Sequence, residues 1–166
     1  MDSRLIIVRG NSGSGKTTVA KELIKKLGPK AMLISQDIVR RDILRVKDTA
    51  GNPAIALIYD MTMFGNAKGY TIVLEGIFNT NIYGSMFDTL VEKFDGPIFC
   101  YYFDIPYEET VTRHASKRTP VDFSTSKLKT WWKDKDYLGL DGEKLLNVDH
   151  TKEDIIQLIS EDTKHI

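Results

Sequence analysis

The sequence is poor in the residues that carry metal, thiol or acyl-transfer chemistry. Its one cysteine, Cys100, lies in an apolar run, so no internal disulfide can form and a buried, inert thiol is expected. The histidines, His114, His150 and His165, show no metal-ligand spacing. No nucleophile elbow or Ser–His constellation is present. Neither sign of charge is in excess: Lys+Arg and Asp+Glu both number 23, so global charge points to neither nucleic acid nor membrane. No apolar run approaches the length of a membrane span, and no signal peptide opens the chain. A cytoplasmic location and no membrane partner are expected. Repeats, low-complexity tracts and linkers are also missing. Residues 1–166 therefore read as one domain of ordinary composition, 42% hydrophobic and 28% charged.

What is present begins at once. Leu5–Val8 is a continuous apolar, β-branched run of the kind buried on both faces of a sheet. Gly10-Asn11-Ser12-Gly13-Ser14-Gly15-Lys16-Thr17 then fits G-x-x-x-x-G-K-[ST], and Thr18 follows it. From Thr17 to Leu27, Val19, Ala20, Leu23, Ile24 and Leu27 fall on one helical face. Strand, glycine-rich loop and helix stand in the order that lets backbone N–H groups converge on phosphate oxygens at a helix N-terminus. The pattern predicts a nucleoside triphosphate on residues 10–18. Lys16 would reach the β- and γ-phosphates, and Thr17 would ligate Mg²⁺.

Further strands are expected over Ala31–Ser35, Tyr70–Leu74, Ile98–Phe103 and Leu145–Val148. Helices are expected over Ile38–Val46, Pro53–Lys68, Tyr83–Phe94, from Pro106 to Arg118, over 124–135 and over 152–163. This alternation predicts an α/β fold with a five-stranded parallel sheet and helices on both faces, a three-layer arrangement. Ligands in such folds bind beyond the carboxyl ends of the strands.

The polar residues at those ends are the candidates. Asp37 follows the second strand and is suited either to take a proton from an acceptor hydroxyl or to cap the next helix. Arg40 and Arg41 lie three and four residues on and would hold an acceptor anion or orient Asp37. Glu75 ends the third strand, where it would act on a metal-bound water or the acceptor, or simply terminate the strand. Asp104 is expected to cap the following helix. From Arg113 to Lys135 there are seven Lys/Arg against two Asp, as in a lid that closes over phosphates. Of Trp131 and Trp132, at least one is expected to dock its helix on the domain, because adjacent helical residues point about 100° apart.

Taken together, the glycine-rich loop, Ile34-Ser-Gln-Asp37-Ile-Val-Arg40, Val73-Leu-Glu-Gly-Ile-Phe-Asn79 and Phe103 through Arg113 to Gly139 resemble the kinase domain of phage polynucleotide 5′-kinase. They also resemble zeta-toxin-like small P-loop kinases. The resemblance covers roughly Leu5 to Gly139. It implies a P-loop NTPase fold of the nucleoside-kinase type with a short lid at about 113–135. It also implies Asp37 as catalytic base, Arg40 on an acceptor phosphate and Arg113 as a lid arginine on the ATP phosphates. A second lid arginine maps to Lys117 or, with one insertion, Arg118, which is preferred. Glu75 departs from the aspartate of the phage kinase, and a phosphatase domain after the kinase domain is not expected.

The expectation is an ATP- and Mg²⁺-dependent transfer of the γ-phosphoryl group to a hydroxyl of a small-molecule acceptor. Lys16, Asp37, Arg113 and Arg118 would be catalytic. Arg40, Arg41, Glu75 and Asn79 would bind substrate, and the loop around Asp149 to Thr151 would lie near the adenine. A polynucleotide 5′-hydroxyl is the alternative acceptor. The rival outside this class is a GTPase-type switch, suggested by Thr151-Lys152-Glu153-Asp154 and by D-x-x-G at Asp48–Gly51 and Asp136–Gly139.

Overall fold

The computed structural model describes residues 3–115 and 129–164, without the side chain of His114. The apolar run becomes β1 (Arg4–Gly10), the central strand of a five-stranded parallel sheet. β2 (Ala31–Ser35), β3 (Thr71–Gly76), β4 (Ile98–Phe103) and β5 (Lys144–Leu146) complete it in the order β2-β3-β1-β4-β5. Because side chains alternate along a strand, β1 feeds two cores at once. Leu5 and Ile7 pack with α2 (Pro53–Ala67) and α3 (Thr80–Lys93) on one face. Ile6 and Val8 pack with α1 (Lys16–Leu27) and the closing helix α5 (Lys152–Asp162) on the other. The remaining helix, α4, spans Tyr107–Ala115. All four of these β1 residues are at most 1% exposed, which is why the stretch reads as apolar throughout. Cys100 is buried in the first of these cores, and burial pushes its thiol pKa up. No helix among the described residues is long and apolar enough to cross a membrane.

Several boundaries differ from the sequence expectations, each for a local reason. The helix expected over Ile38–Val46 is a six-residue π-helix, Ile38–Ile43. The chain then folds back, with Arg40 Nη1 donating to the Val46 carbonyl at 3.0 Å and Val46 N–H donating to the Arg40 carbonyl at 2.9 Å. α3 starts at Thr80 rather than Tyr83, because the Asn79 side chain caps it by accepting from Asn81 N–H at 3.0 Å. β5 ends at Leu146 rather than Val148. Asn147 turns out of the sheet, its side chain accepting from Asp149 N–H at 3.1 Å and meeting His150 Nδ1 at 2.8 Å. Asp104 is not a cap: α4 begins three residues later, and the Asp104 carboxylate accepts from the Tyr137 hydroxyl at 2.9 Å. Of the helix expected over 124–135, residues 129–131 are described as helical and the helix stops there.

Candidate active site

The glycine-rich loop leaves β1 where the sheet is tightest. A Cβ on Gly10 would lie 2.8 Å from Phe103 Cβ of β4, so no larger residue fits. Gly15 closes the loop at φ 101°, a left-handed conformation, and directly precedes α1. That helix start has no side-chain cap, whereas Asn52, Asn79 and Thr151 cap α2, α3 and α5 with their own oxygens. An uncapped, glycine-led N-terminus leaves its backbone N–H groups for an anion. Lys16 is buried beside it, with Nζ donating to the Asn11 carbonyl at 3.1 Å.

Glu75 enters the site by the alternation of β3. Val73 packs on the α1 side and Leu74 on the other, so Glu75 faces α1 again. There it accepts from the Thr17 hydroxyl at 2.6 Å while only 4% exposed. The sequence leaves Glu75 open between a metal-bound water, the acceptor and simple strand termination; the structure sets its carboxylate against Thr17. No group of three or more His, Cys, Asp or Glu suited to a metal occurs among the described residues. The Thr17–Glu75 oxygen pair nonetheless fits Mg²⁺, which is held by one or two protein oxygens together with phosphate oxygens and water.

Two cavities matter here, one against this loop and one beyond β2 and β3. One, of about 380 Å³, is lined by Ser14, Gly15, Thr18 and Arg113 and by Asn147 to Lys152, except Asp149. Arg113 of α4 is held over the loop: Nη1 donates to the Ser14 carbonyl at 3.0 Å and Nε to Glu109 at 2.7 Å. The second cavity, of about 530 Å³, brings together Asp37, Arg40, Arg41 and Asn79 but not Glu75. The two share no lining residue. Asp37 does not cap the π-helix: its backbone is already helical, at φ −66° and ψ −40°, rather than extended. Its carboxylate instead meets Arg40 Nη2 and Arg41 Nε, each at 3.3 Å.

A model of the AAA domain matches residues 5–134. The chain belongs to the AAA domain family. No curated protein matches the sequence significantly. Among solved structures, this AAA domain is similar to an APS kinase of Mycobacterium tuberculosis in complex with AMPPNP and APS, at 16% identity and TM-score 0.72 over 96% of each chain. It is also similar to a gluconokinase of Sinorhizobium meliloti, at 19% identity and TM-score 0.64, covering 95% of this chain and 94% of that one. Against the Pnkp1/Rnl/Hen1 RNA repair complex it reaches 20% identity and TM-score 0.59, covering 78% of this chain and 42% of that one. The likeness is one of fold, and the fold is that of P-loop kinases.

This AAA domain also carries a buried ion pair beside the loop that sequence reasoning missed. Arg9 sits one residue before the loop with no exposed surface, on the same face of β1 as Leu5 and Ile7. Burial lowers its pKa, and the facing Asp136 carboxylate opposes that shift. Its Nη2 donates to Asp136 Oδ2 at 3.0 Å and to the Phe78 carbonyl at 2.7 Å, while its charge lies 5.6 Å from the Tyr102 ring centroid. Asp136 also accepts from the backbone N–H and the hydroxyl of Thr80. β1, the start of α3 and the segment after residue 129 thus converge on one ion pair. The available signal was an arginine closing an otherwise apolar strand. Arg118, the second lid arginine of the sequence reading, lies outside the described residues, as does Lys117.

The motifs that suggested a GTPase switch have structural occupations. Thr151 and Asp154 form a capping box, with Thr151 N–H donating to Asp154 Oδ2 at 2.9 Å and Asp154 N–H to Thr151 Oγ1 at 3.1 Å. Asp48 accepts from the Tyr83 hydroxyl at 2.7 Å, and Asp136 is engaged by Arg9 and Thr80. Trp132 packs edge-on against Tyr107, with ring centroids 5.4 Å apart, while Trp131 lines the second cavity at 40% exposure.

Proposed function

We propose that this chain transfers the γ-phosphoryl group of ATP to a hydroxyl of a small-molecule acceptor. The observation that carries the reading is a cavity against the uncapped glycine-rich loop together with a separate one lined by an arginine-paired carboxylate. The first cavity takes the nucleotide, with the phosphates against residues 10–18 and the base toward Asn147–Lys152. The second takes the acceptor. Asp37 accepts the hydroxyl proton as the acceptor oxygen bonds to the γ-phosphorus. The bond from that phosphorus to the β,γ-bridging oxygen breaks, leaving ADP. Lys16 and Arg113 offset charge on the phosphates. Arg40 and Arg41 hold the Asp37 carboxylate in place. Thr17 and Glu75 would hold Mg²⁺, which, when bound, neutralises charge on the β- and γ-phosphate oxygens.

The test is transfer of labelled γ-phosphate from ATP to a panel of hydroxyl compounds, with Asp37→Asn as control. Transfer should fall by about 10²–10⁴-fold in the variant while ATP affinity holds. Undiminished transfer would remove Asp37 from the mechanism. One observation keeps a polynucleotide 5′-hydroxyl as the second reading: Trp131 lies beside Lys133 at the acceptor cavity, a stacking aromatic next to a cation. Label on an oligonucleotide and not on small acceptors would decide for it.

A further inference from the structure

We infer that the acceptor carries a fixed negative charge in addition to its reacting hydroxyl, and that Lys47 and Lys133 hold that charge. The inference rests on reading the second cavity as the acceptor site.

The lining of that cavity is unbalanced. Arg40, Arg41, Lys47 and Lys133 face only two carboxylates, Asp37 and Asp48. Both carboxylates already have partners. Asp37 is taken by the two arginines, and Asp48 accepts from the Tyr83 hydroxyl at 2.7 Å. Among the described residues Lys47 and Lys133 have no ion-pair partner, so the surplus positive charge of the cavity sits on them. Arg40 adds to the demand. Its two terminal nitrogens are bonded to Val46 and Asp37, yet its buried Nε has no acceptor. A buried donor left unmet is costly, and an anionic ligand is the group that meets it best.

The two lysines come from different parts of the chain, and this gives the charge a position. Lys47 follows the π-helix that carries Arg40 and Arg41. Lys133 lies just after the described helical residues 129–131, with its backbone bonded to Asn11 of the phosphate loop. An anion between them is drawn against both the acceptor wall and the donor loop. Neutral sugars and nucleosides would leave both lysines unmatched. Polycationic acceptors such as aminoglycosides would be repelled.

The experiment uses the full chain saturated with a non-hydrolysable ATP analogue, so that anions cannot occupy the phosphate loop. Calorimetry compares glucose with gluconate and adenosine with adenosine 3′-monophosphate, and adds a 5′-hydroxyl oligonucleotide. Labelled transfer from ATP to the same compounds follows. The anionic member of at least one pair should bind about tenfold more tightly than its neutral match. Lys47→Met and Lys133→Met should each shrink that margin, and Lys133→Arg should keep it. Tightest binding by the oligonucleotide, falling steeply with salt, would identify the anion as a nucleic-acid phosphate. Tightest binding by gluconate or the mononucleotide would identify it as a small acidic metabolite. Equal binding within both pairs, or no binding by any anionic compound, would overturn the inference. If neutral compounds are phosphorylated as fast as their anionic matches, the inference fails and the kinase reading stands. If anionic compounds bind in the Lys47- and Lys133-dependent way but receive no label, the charge inference stands and the kinase reading fails.

Discussion

The Asn11 side-chain amide exchanges two hydrogen bonds with the backbone of Lys133. Nδ2 donates to the Lys133 carbonyl at 2.6 Å, and Oδ1 accepts from its N–H at 2.9 Å. Such a clasp satisfies both backbone groups of one residue in the way a strand neighbour would. It accounts for the chain leaving helix at Trp132, since a residue clasped this way has no backbone groups left for a helical ladder.

Asn11→Asp is the sharpest probe of the clasp. A carboxylate still accepts from the Lys133 N–H but cannot donate, so it faces a carbonyl oxygen across the broken bond. We expect a loss of about 1–3 kcal/mol in urea unfolding. On the proposed reading turnover should fall with it, because Lys133 lines the cavity assigned to the acceptor. Unchanged stability and turnover would show that the clasp positions nothing.

The buried ion pair should be costlier to break than to replace. Asp136→Asn strips the charge facing a fully buried arginine, and a loss of about 3–5 kcal/mol is expected. The double variant Arg9→Met, Asp136→Leu leaves no unpaired charge and should recover part of that loss in the same unfolding measurement.

Thr17→Val and Glu75→Gln each remove part of the oxygen pair assigned to Mg²⁺. Both should raise the Mg²⁺ concentration needed for half-maximal transfer. Nucleotide binding measured in a chelator should change far less. An unaltered Mg²⁺ requirement in both variants would detach the pair from the metal.

High pH should unfold the protein through its buried phenols. Burial, reinforced by the bond to Asp48, raises Tyr83 to about 12. Burial likewise raises Tyr102 to about 12, against the opposing effect of Arg9. A group whose pKa is higher folded than unfolded holds its proton more tightly in the native state. Its contribution is complete below the unfolded value of 10.0 and is lost as pH rises toward 12. The urea midpoint should therefore fall across that window, and less steeply in Tyr83→Phe.

Thr151→Ala removes the capping box at the start of α5. About 1 kcal/mol of stability should go with it. The ratio of ATP to GTP affinity should not change, because Thr151 and Asp154 are occupied with each other. A swing in that ratio would return the guanine-reading interpretation to consideration.

The fold was legible because its signals are local and repeated. The apolar run Leu5–Val8 of β1, a glycine-rich loop and an amphipathic α1 each reinforce the others, and the family match over residues 5–134 agrees with them. Asp37, Arg40, Arg41 and Asn79 were singled out from their strand-end positions and the family resemblance, and the structure brings them to one cavity. Arg9 and Asp136 were not, because their relation spans 127 positions of chain and no spacing rule connects them. Lys47 and Lys133 escaped for another reason. Each is an ordinary surface lysine in sequence, and only the cavity between them makes them a set.

On the proposed reading, two cavities without a single wall in common make this a machine with interchangeable ends. Variation at Lys47, Asp48, Thr49 or Trp131 would then retool the acceptor without touching the residues read as gripping the nucleotide. The clasp at Asn11 is the coupling that such retooling must leave intact.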